Sequence, residues 1–146
     1  MGLIVNDISF GEMTYKRGWK KTEDFTFFGK NYQLSVIAKS FSEKPITKEQ
    51  RESYVWVKNN IEQIDIKLTS MLIDYINDQI DTISLYWAGA RIIDAAEDVS
   101  QVVDLKTILF KNDGSTIILC DCVWDEHGLA VQLRPDYEIG EQDLFL

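Results

Sequence analysis

The chain of 146 residues is predicted to be a single α+β domain spanning residues 1–146. In this fold, antiparallel β-meanders at both ends of the chain pack against one long amphipathic helix and a shorter helix. Three observations predict it. Apolar and polar residues alternate with a period of two near both ends. Between these stretches, apolar residues recur at steps of three and four, and turn signals separate the apolar runs at both ends.

The first 40 residues predict a meander of three or four strands. Residues 32–39 alternate cleanly between apolar and polar side chains, as expected for a half-buried strand. Turn signals at Arg17-Gly18 and at Gly29-Lys30-Asn31 separate this strand from the runs before it.

A long helix is predicted over residues 48–77. Thr47 and Gln50 have the spacing of a capping box, in which each side chain bonds to the main chain of the other residue. An apolar stripe at helical spacing follows, and we expect it to pack on the sheet as core. The stripe comprises Tyr54, Val57, Ile61, Ile64, Leu68, Met71, Leu72 and Tyr75. Asn59-Asn60 is a point at which this helix could kink or split.

The segment between residues 80 and 106 has a mixed pattern. Ile83, Leu85 and Trp87 alternate as in a strand, whereas the alanine-rich run that follows is typical of a helix. The shorter helix is therefore predicted near residues 90–97.

The second meander is predicted around residues 107–133. Asp113-Gly114 lies between two apolar runs, which is a hairpin signal, and residues 125–128 form the next predicted break. The middle strand is apolar on both faces, so both faces need a cover. Residues 137–139 are predicted to form a last edge strand, and the apolar C-terminal tail is expected to dock onto the domain.

Charge is distributed unevenly along the chain. Residues 1–73 contain 11 Lys/Arg and 9 Asp/Glu, whereas residues 74–146 contain 4 and 15, which gives net charges of +2 and −11. An acidic half of this kind repels phosphate backbones, so nucleic-acid binding is not expected. It would attract a basic protein partner, although a solvated surface that maintains solubility explains the same charge.

The sequence also favours a cytoplasmic protein that does not bind membranes. No apolar run approaches the roughly 20 residues that cross a bilayer, and no secretory signal is evident. The two cysteines, Cys120 and Cys122, lie two residues apart on one predicted strand, where they cannot cross-link the fold. The sequence does not predict the oligomeric state.

The candidate binding residues are Trp124, Asp125, Glu126 and His127, which form one predicted turn ending at Gly128. A rigid strand pair would present an aromatic ring, two carboxylates and an imidazole at one end. The competing interpretation is a structural corner, in which Gly128 supplies a positive φ, Asp125 caps main-chain N–H groups and His127 bonds to a carbonyl.

An alternative is a small hydrolase or metal-binding protein with a site at Cys122, Asp125 and His127. Against it, Cys-x-Cys on a strand is not the usual zinc knuckle, and His127 is the single histidine. The glycines match no phosphate-binding loop. We therefore expect no catalytic residue, metal or cofactor.

Several short motifs resemble those of a family of small bacterial domains of unknown function. They are Phe10-Gly11-Glu12-Met13 with Tyr15 and Trp19, Phe28-Gly29-Lys30, Ile46-Thr47 with Gln50, Trp124 to Gly128, and Gly140 with Gln142-Asp143. The resemblance implies no activity and transfers no catalytic residue. Some similar acidic domains occur beside bacterial toxin systems, which implies an immunity-like or antitoxin-like role. The favoured hypothesis is a non-enzymatic, protein-binding domain that uses its acidic C-terminal half.

Overall fold

The computed structural model describes residues 2–146, and Met1 lies outside the described residues. Within that range the chain forms one sheet of eight strands and four α-helices, which confirms the α+β class. The strands are β1 (Ile4–Asp7), β2 (Gly11–Tyr15), β3 (Trp19–Phe27), β4 (Lys30–Ala38), β5 (Val103–Phe110), β6 (Thr116–Cys122), β7 (Asp125–Arg134) and β8 (Glu138–Glu141). The helices are α1 (Lys48–Asn59), α2 (Ile61–Asp78), α3 (Ile80–Ile83) and α4 (Ala96–Val102), and a 3-10 turn spans Gln142–Leu144.

The strands lie in the sheet in the same order as in the sequence. Neighbouring strands are antiparallel except β4 and β5, which pair in parallel from Ser35 opposite Thr107 to Ala38 opposite Phe110. A parallel pair requires a crossover connection, and residues 39–102 supply it with all four helices.

The helix predicted over residues 48–77 is not continuous: it forms α1 and α2, which divide at Asn59-Asn60, where the sequence indicated a possible kink or split. The break lies at Asn60, whose φ of −122° and ψ of 22° are not helical. The Asn60 side-chain amide donates to the carbonyl of Trp56 at 2.9 Å, a local bond that competes with regular helix geometry. The predicted capping box is present, since Gln50 N donates to Thr47 Oγ1 and Thr47 N donates to Gln50 Oε1.

The short helix predicted near residues 90–97 lies further along the chain, because α4 begins only at Ala96. Asn77, near the end of α2, forms two hydrogen bonds with the main chain of Ile93 at 2.8 and 2.9 Å, which fasten that segment in a non-helical conformation. Asp98 then accepts a hydrogen bond from the main-chain N–H of Ala95 at the start of α4.

The core is built on both faces of the second meander, as the apolar middle strand requires. Ile118 and Cys120 belong to a large buried cluster with helix residues such as Leu68. On the opposite face, Ile117 packs in a smaller cluster with Phe145 of the C-terminal tail. The C-terminal tail therefore covers the second face of the middle strand.

Gln50 joins α1 to the parallel strand pair. Its side chain is fully buried, and its amide nitrogen donates to the carbonyls of Lys39 and Phe110, which directly follow β4 and end β5, at 2.8 and 3.1 Å. One residue thus satisfies polar groups of the helix and of both strands.

Among residues 2–146, none of the helices combines the length and the hydropathy that a bilayer crossing demands.

Candidate functional site

The hairpin between β6 and β7 carries the candidate binding residues. Its turn is Val123-Trp124, since Cys122 pairs directly with Asp125. The prediction of a turn at residues 125–128 was therefore wrong, because these residues begin β7. The next paired residues are Cys120 and Leu129, so β7 has more residues than β6 in this interval and bulges.

Local hydrogen bonds and close packing shape this bulge. Asp125 Oδ1 accepts a hydrogen bond from the main-chain N–H of His127 at 2.9 Å. Gly128 has a φ of +75°, and a Cβ atom there would lie 2.5 Å from both the carbonyl oxygen of Cys120 and the side-chain nitrogen of Gln142. Asp125 thus caps a main-chain N–H group and Gly128 supplies a positive φ, as the structural-corner interpretation expects. The resulting bulge leaves the side chains of Glu126 and His127 exposed.

A cleft of about 610 Å³ lies between this hairpin and the end of α2 with α3. Trp124, Asp125, Glu126 and His127 all line it. Glu126 and His127 are exposed, whereas Trp124 and Asp125 are half-buried. The structure therefore brings the four candidate residues together around one concavity, which is where ligands usually bind.

Sequence reasoning missed three further residues that line the cleft. Tyr75 was assigned to the apolar stripe of the predicted helix, Tyr86 lies in the ambiguous segment, and Glu141 ends β8. No pattern in the sequence connects them, because their meeting depends on how α2, α3 and β8 are placed around the hairpin.

The cleft is acidic and aromatic. Asp125, Glu126 and Glu141 supply three carboxylates, and none of the described residues that line the cleft is Lys or Arg. His127 Nε2 lies 3.8 Å from Glu126 Oε1. Within residues 2–146 the His127 ring donates to no carbonyl, so that part of the structural-corner interpretation was wrong. Burial, followed by the nearby negative charge of carboxylates such as Glu141 and Asp125, raises the pKa of Tyr75 above its ordinary value of 10.0. The neutral hydroxyl therefore remains a hydrogen-bond donor in this acidic cleft.

Two other clefts contain cations of their own. A cleft of about 310 Å³ at the start of α1 combines Glu49, Glu52 and Asp113 with Arg134. Another, of about 410 Å³, beside β3 places Lys58 among its carboxylates. The cleft at the β6–β7 hairpin differs from both because its lining, taken over residues 2–146, includes no lysine or arginine.

The geometry does not favour a Cys–His pair. The thiol of Cys122 donates to the carbonyl of Asp125 at 3.5 Å, and burial raises the pKa of that thiol to about 11. The thiol is therefore protonated at neutral pH and is a weak nucleophile. The side chain of His127 is 80% exposed and contacts Glu126. Residues 2–146 contain no group of three or more His, Cys, Asp or Glu side chains placed to hold a metal ion.

Comparison with known proteins gives one positive result. A family model described as a domain of unknown function (DUF6985) matches residues 9–146. Neither the search of curated proteins nor the search of solved structures found a match.

Proposed function

The chain belongs to the DUF6985 family of domains of unknown function, and from that premise we propose that it is a non-enzymatic binding domain whose acidic C-terminal half engages a basic protein partner. The observation that carries this proposal is the cleft at the β6–β7 hairpin. It collects the four candidate residues with Glu141 in the half of the chain whose net charge is −11.

The shape and chemistry of the cleft support protein binding. Trp124, Tyr75 and Tyr86 offer aromatic surface, a residue type enriched at the centres of protein interfaces. The surrounding carboxylates would speed encounter with a positively charged partner and disfavour acidic ones. Asp125 and Glu141 are paired in the sheet, opposite Cys122 and Leu129, so these two carboxylates are held in place before a partner arrives.

We further propose that this binding serves an immunity-like or antitoxin-like role. The motif resemblance to small acidic domains found beside bacterial toxin systems supports it, and the basic partner would then be the toxin. The proposed localisation is the bacterial cytoplasm, where two thiols that cannot cross-link the fold would stay reduced.

Selection of binders from a displayed library of random peptides tests the proposal. We expect bound peptides to be enriched in Lys and Arg, and binding to weaken steeply between about 50 mM and about 500 mM NaCl because salt screens exposed charges. Bound peptides without an excess of basic residues, or binding that salt does not change, would contradict the proposal.

A matched pair of triple variants separates the cleft from total charge. Asp125→Asn/Glu126→Gln/Glu141→Gln removes three charges from the cleft, and Asp24→Asn/Glu43→Gln/Glu97→Gln removes three exposed charges that do not line it. Only the first set is expected to abolish the selection of basic peptides. Equal losses in both sets would mean that net charge, and not this site, attracts the partner.

A further inference from the structure

We infer that the cleft at the β6–β7 hairpin is a receptor for one cationic side chain, an arginine or a lysine, that projects from the partner between the aromatic rings and the carboxylates of the cleft. This inference rests on the proposed function and names the group that the site recognises.

Charge compensation distinguishes this cleft from the other two. Asp125 and Glu141 form no salt bridge with any residue in the range 2–146. In the clefts at α1 and at β3, by contrast, Arg134 and Lys58 are among the lining residues and supply positive charge. The hairpin cleft is therefore an acidic cleft that an external cation can complete.

Aromatic rings line the same cleft. A guanidinium or an ammonium group binds favourably over the face of a tryptophan or tyrosine ring, more so when water is partly excluded. Trp124 and Tyr75 are half-buried and pack against the core, which fixes their positions, while Tyr86 is 68% exposed. A bound cation would therefore meet two aromatic rings in fixed positions, those of Trp124 and Tyr75. The exposed ring of Tyr86 is free to reorient towards it.

The size and the rim of the cleft suit a long side chain. About 610 Å³ accommodates a long side chain together with part of its main chain. Val123, which is half-exposed, and Tyr86, which is largely exposed, line the cleft and offer apolar contacts for the methylene groups of arginine or lysine. A small inorganic cation would leave these apolar contacts unused.

Four short peptides test the inference directly. Each is acetylated, amidated and built of glycine and serine around one central residue, which is arginine, lysine, citrulline or Nε-acetyl-lysine. The two cationic peptides are expected to shift the amide resonances of residues 123–128 and 141 in the isotope-labelled protein, with dissociation constants on the order of 1 mM. The neutral citrulline and acetyl-lysine peptides, which keep the shape without the charge, are expected to cause at least tenfold smaller shifts.

Two pairs of neighbouring residues provide matched variants. Glu141→Gln is expected to weaken binding of the cationic peptides about fivefold or more, whereas Glu138→Gln, on the same strand but outside the cleft lining, should leave it unchanged. Tyr86→Ala should likewise weaken binding, and Leu85→Ala, which exchanges an exposed neighbour that does not line the cleft, should not.

The outcomes distinguish this inference from the proposed function. If basic peptides are selected from the library but the arginine and lysine peptides shift no resonance in the cleft, or shift it no more than their neutral analogues, the side-chain receptor is wrong and the basic-partner proposal stands. If the library yields no basic peptides, both are wrong. A preference between the arginine and lysine peptides identifies which cation the site takes.

Discussion

The side-chain amide of Gln142 donates a hydrogen bond to the main-chain carbonyl of Cys120 across 3.1 Å. This bond joins the C-terminal tail to β6 at the level where β7 bulges. Gly128 lies against both of these groups, so the tail, the central strand and the bulge meet at one point. The cleft on the hairpin depends on this junction, because the bulge sets where Glu126 and His127 stand.

Replacing Gly128 by alanine tests the junction. The new Cβ would lie 2.5 Å from the Cys120 carbonyl oxygen, and the positive φ would add strain. We expect Gly128→Ala to lower the free energy of unfolding by about 2–4 kcal/mol, measured by chemical denaturation.

Gly29→Ala is the matched control for that substitution. Its φ of +70° is similar, but a Cβ atom there meets nothing within 4 Å. The cost should be only about 1 kcal/mol, from the left-handed conformation alone. Equal losses for the two variants would show that backbone conformation, and not the contact with Cys120 and Gln142, is what Gly128 provides.

Sequence signals correctly predicted the features that depend on residues close together in the chain. The capping box at Thr47 and the hairpin turn at Asp113-Gly114 each depend on residues a few positions apart, and both are present. The split at Asn59-Asn60, which the sequence indicated as possible, is local in the same sense, because the Asn60–Trp56 bond spans four residues. The start of α4 was misplaced because side-chain bonds between distant residues decide it. The Asn77–Ile93 pair, for example, joins residues 16 positions apart.

The candidate site was predictable only in part for the same reason. Residues 124–127 are contiguous, so their clustering follows from the chain itself. Tyr75, Tyr86 and Glu141 reach the cleft from other elements, and their side chains gave no separate signal. The predicted position of the β6–β7 turn was wrong because the two-residue loop at Val123-Trp124 lacks the glycine or asparagine that usually marks such loops.

Gln50→Ala is expected to destabilise the fold strongly. The substitution removes half of the capping box and leaves the carbonyls of Lys39 and Phe110 without this buried donor. We expect a loss of about 2–4 kcal/mol in the free energy of unfolding. Gln63→Ala, at an exposed position of α2, should change it by less than about 0.5 kcal/mol. A small loss at Gln50 would indicate that water replaces its bonds.

Glu23 is expected to make stability depend on pH in the acid range. Burial acts to raise its pKa, but hydrogen bonds from Lys58, Tyr54 and Lys21 outweigh burial and lower that pKa below 4.5. Because the folded chain favours the ionised carboxylate, its contribution is complete at neutral pH. It disappears as the pH falls below 4.5 and through the pKa of the folded state.

Glu23→Gln should therefore lower the free energy of unfolding by about 1–2 kcal/mol at pH 7. The difference from the wild-type chain should shrink in denaturation experiments at successively lower pH. Glu12→Gln, at an exposed position of β2 without a salt bridge among residues 2–146, is the control and should show little difference at any pH. A constant effect of Glu23→Gln down to pH 3 would contradict this account.

The thiols of Cys120 and Cys122 are expected to resist alkylation. Burial raises the pKa of both, that of Cys122 to about 11, so little thiolate exists at pH 8. Iodoacetamide should modify the folded chain far more slowly than the denatured chain. Val123→Cys, at a half-exposed position of the same hairpin, should react at an ordinary rate. Modification of Cys122 as fast as that introduced cysteine would restore the Cys–His alternative.

The parallel pairing of β4 with β5 has a kinetic consequence. Every other neighbouring pair in the sheet can form by closing a short loop, whereas Ser35–Ala38 and Thr107–Phe110 can pair only by closing the long connection of residues 39–102. We therefore expect the seam between the two meanders to form later in folding than the hairpins on either side of it. Because the Gln50 side chain donates to the carbonyls of Lys39 and Phe110 at this seam, we expect α1 to dock and β4 to pair with β5 in the same step.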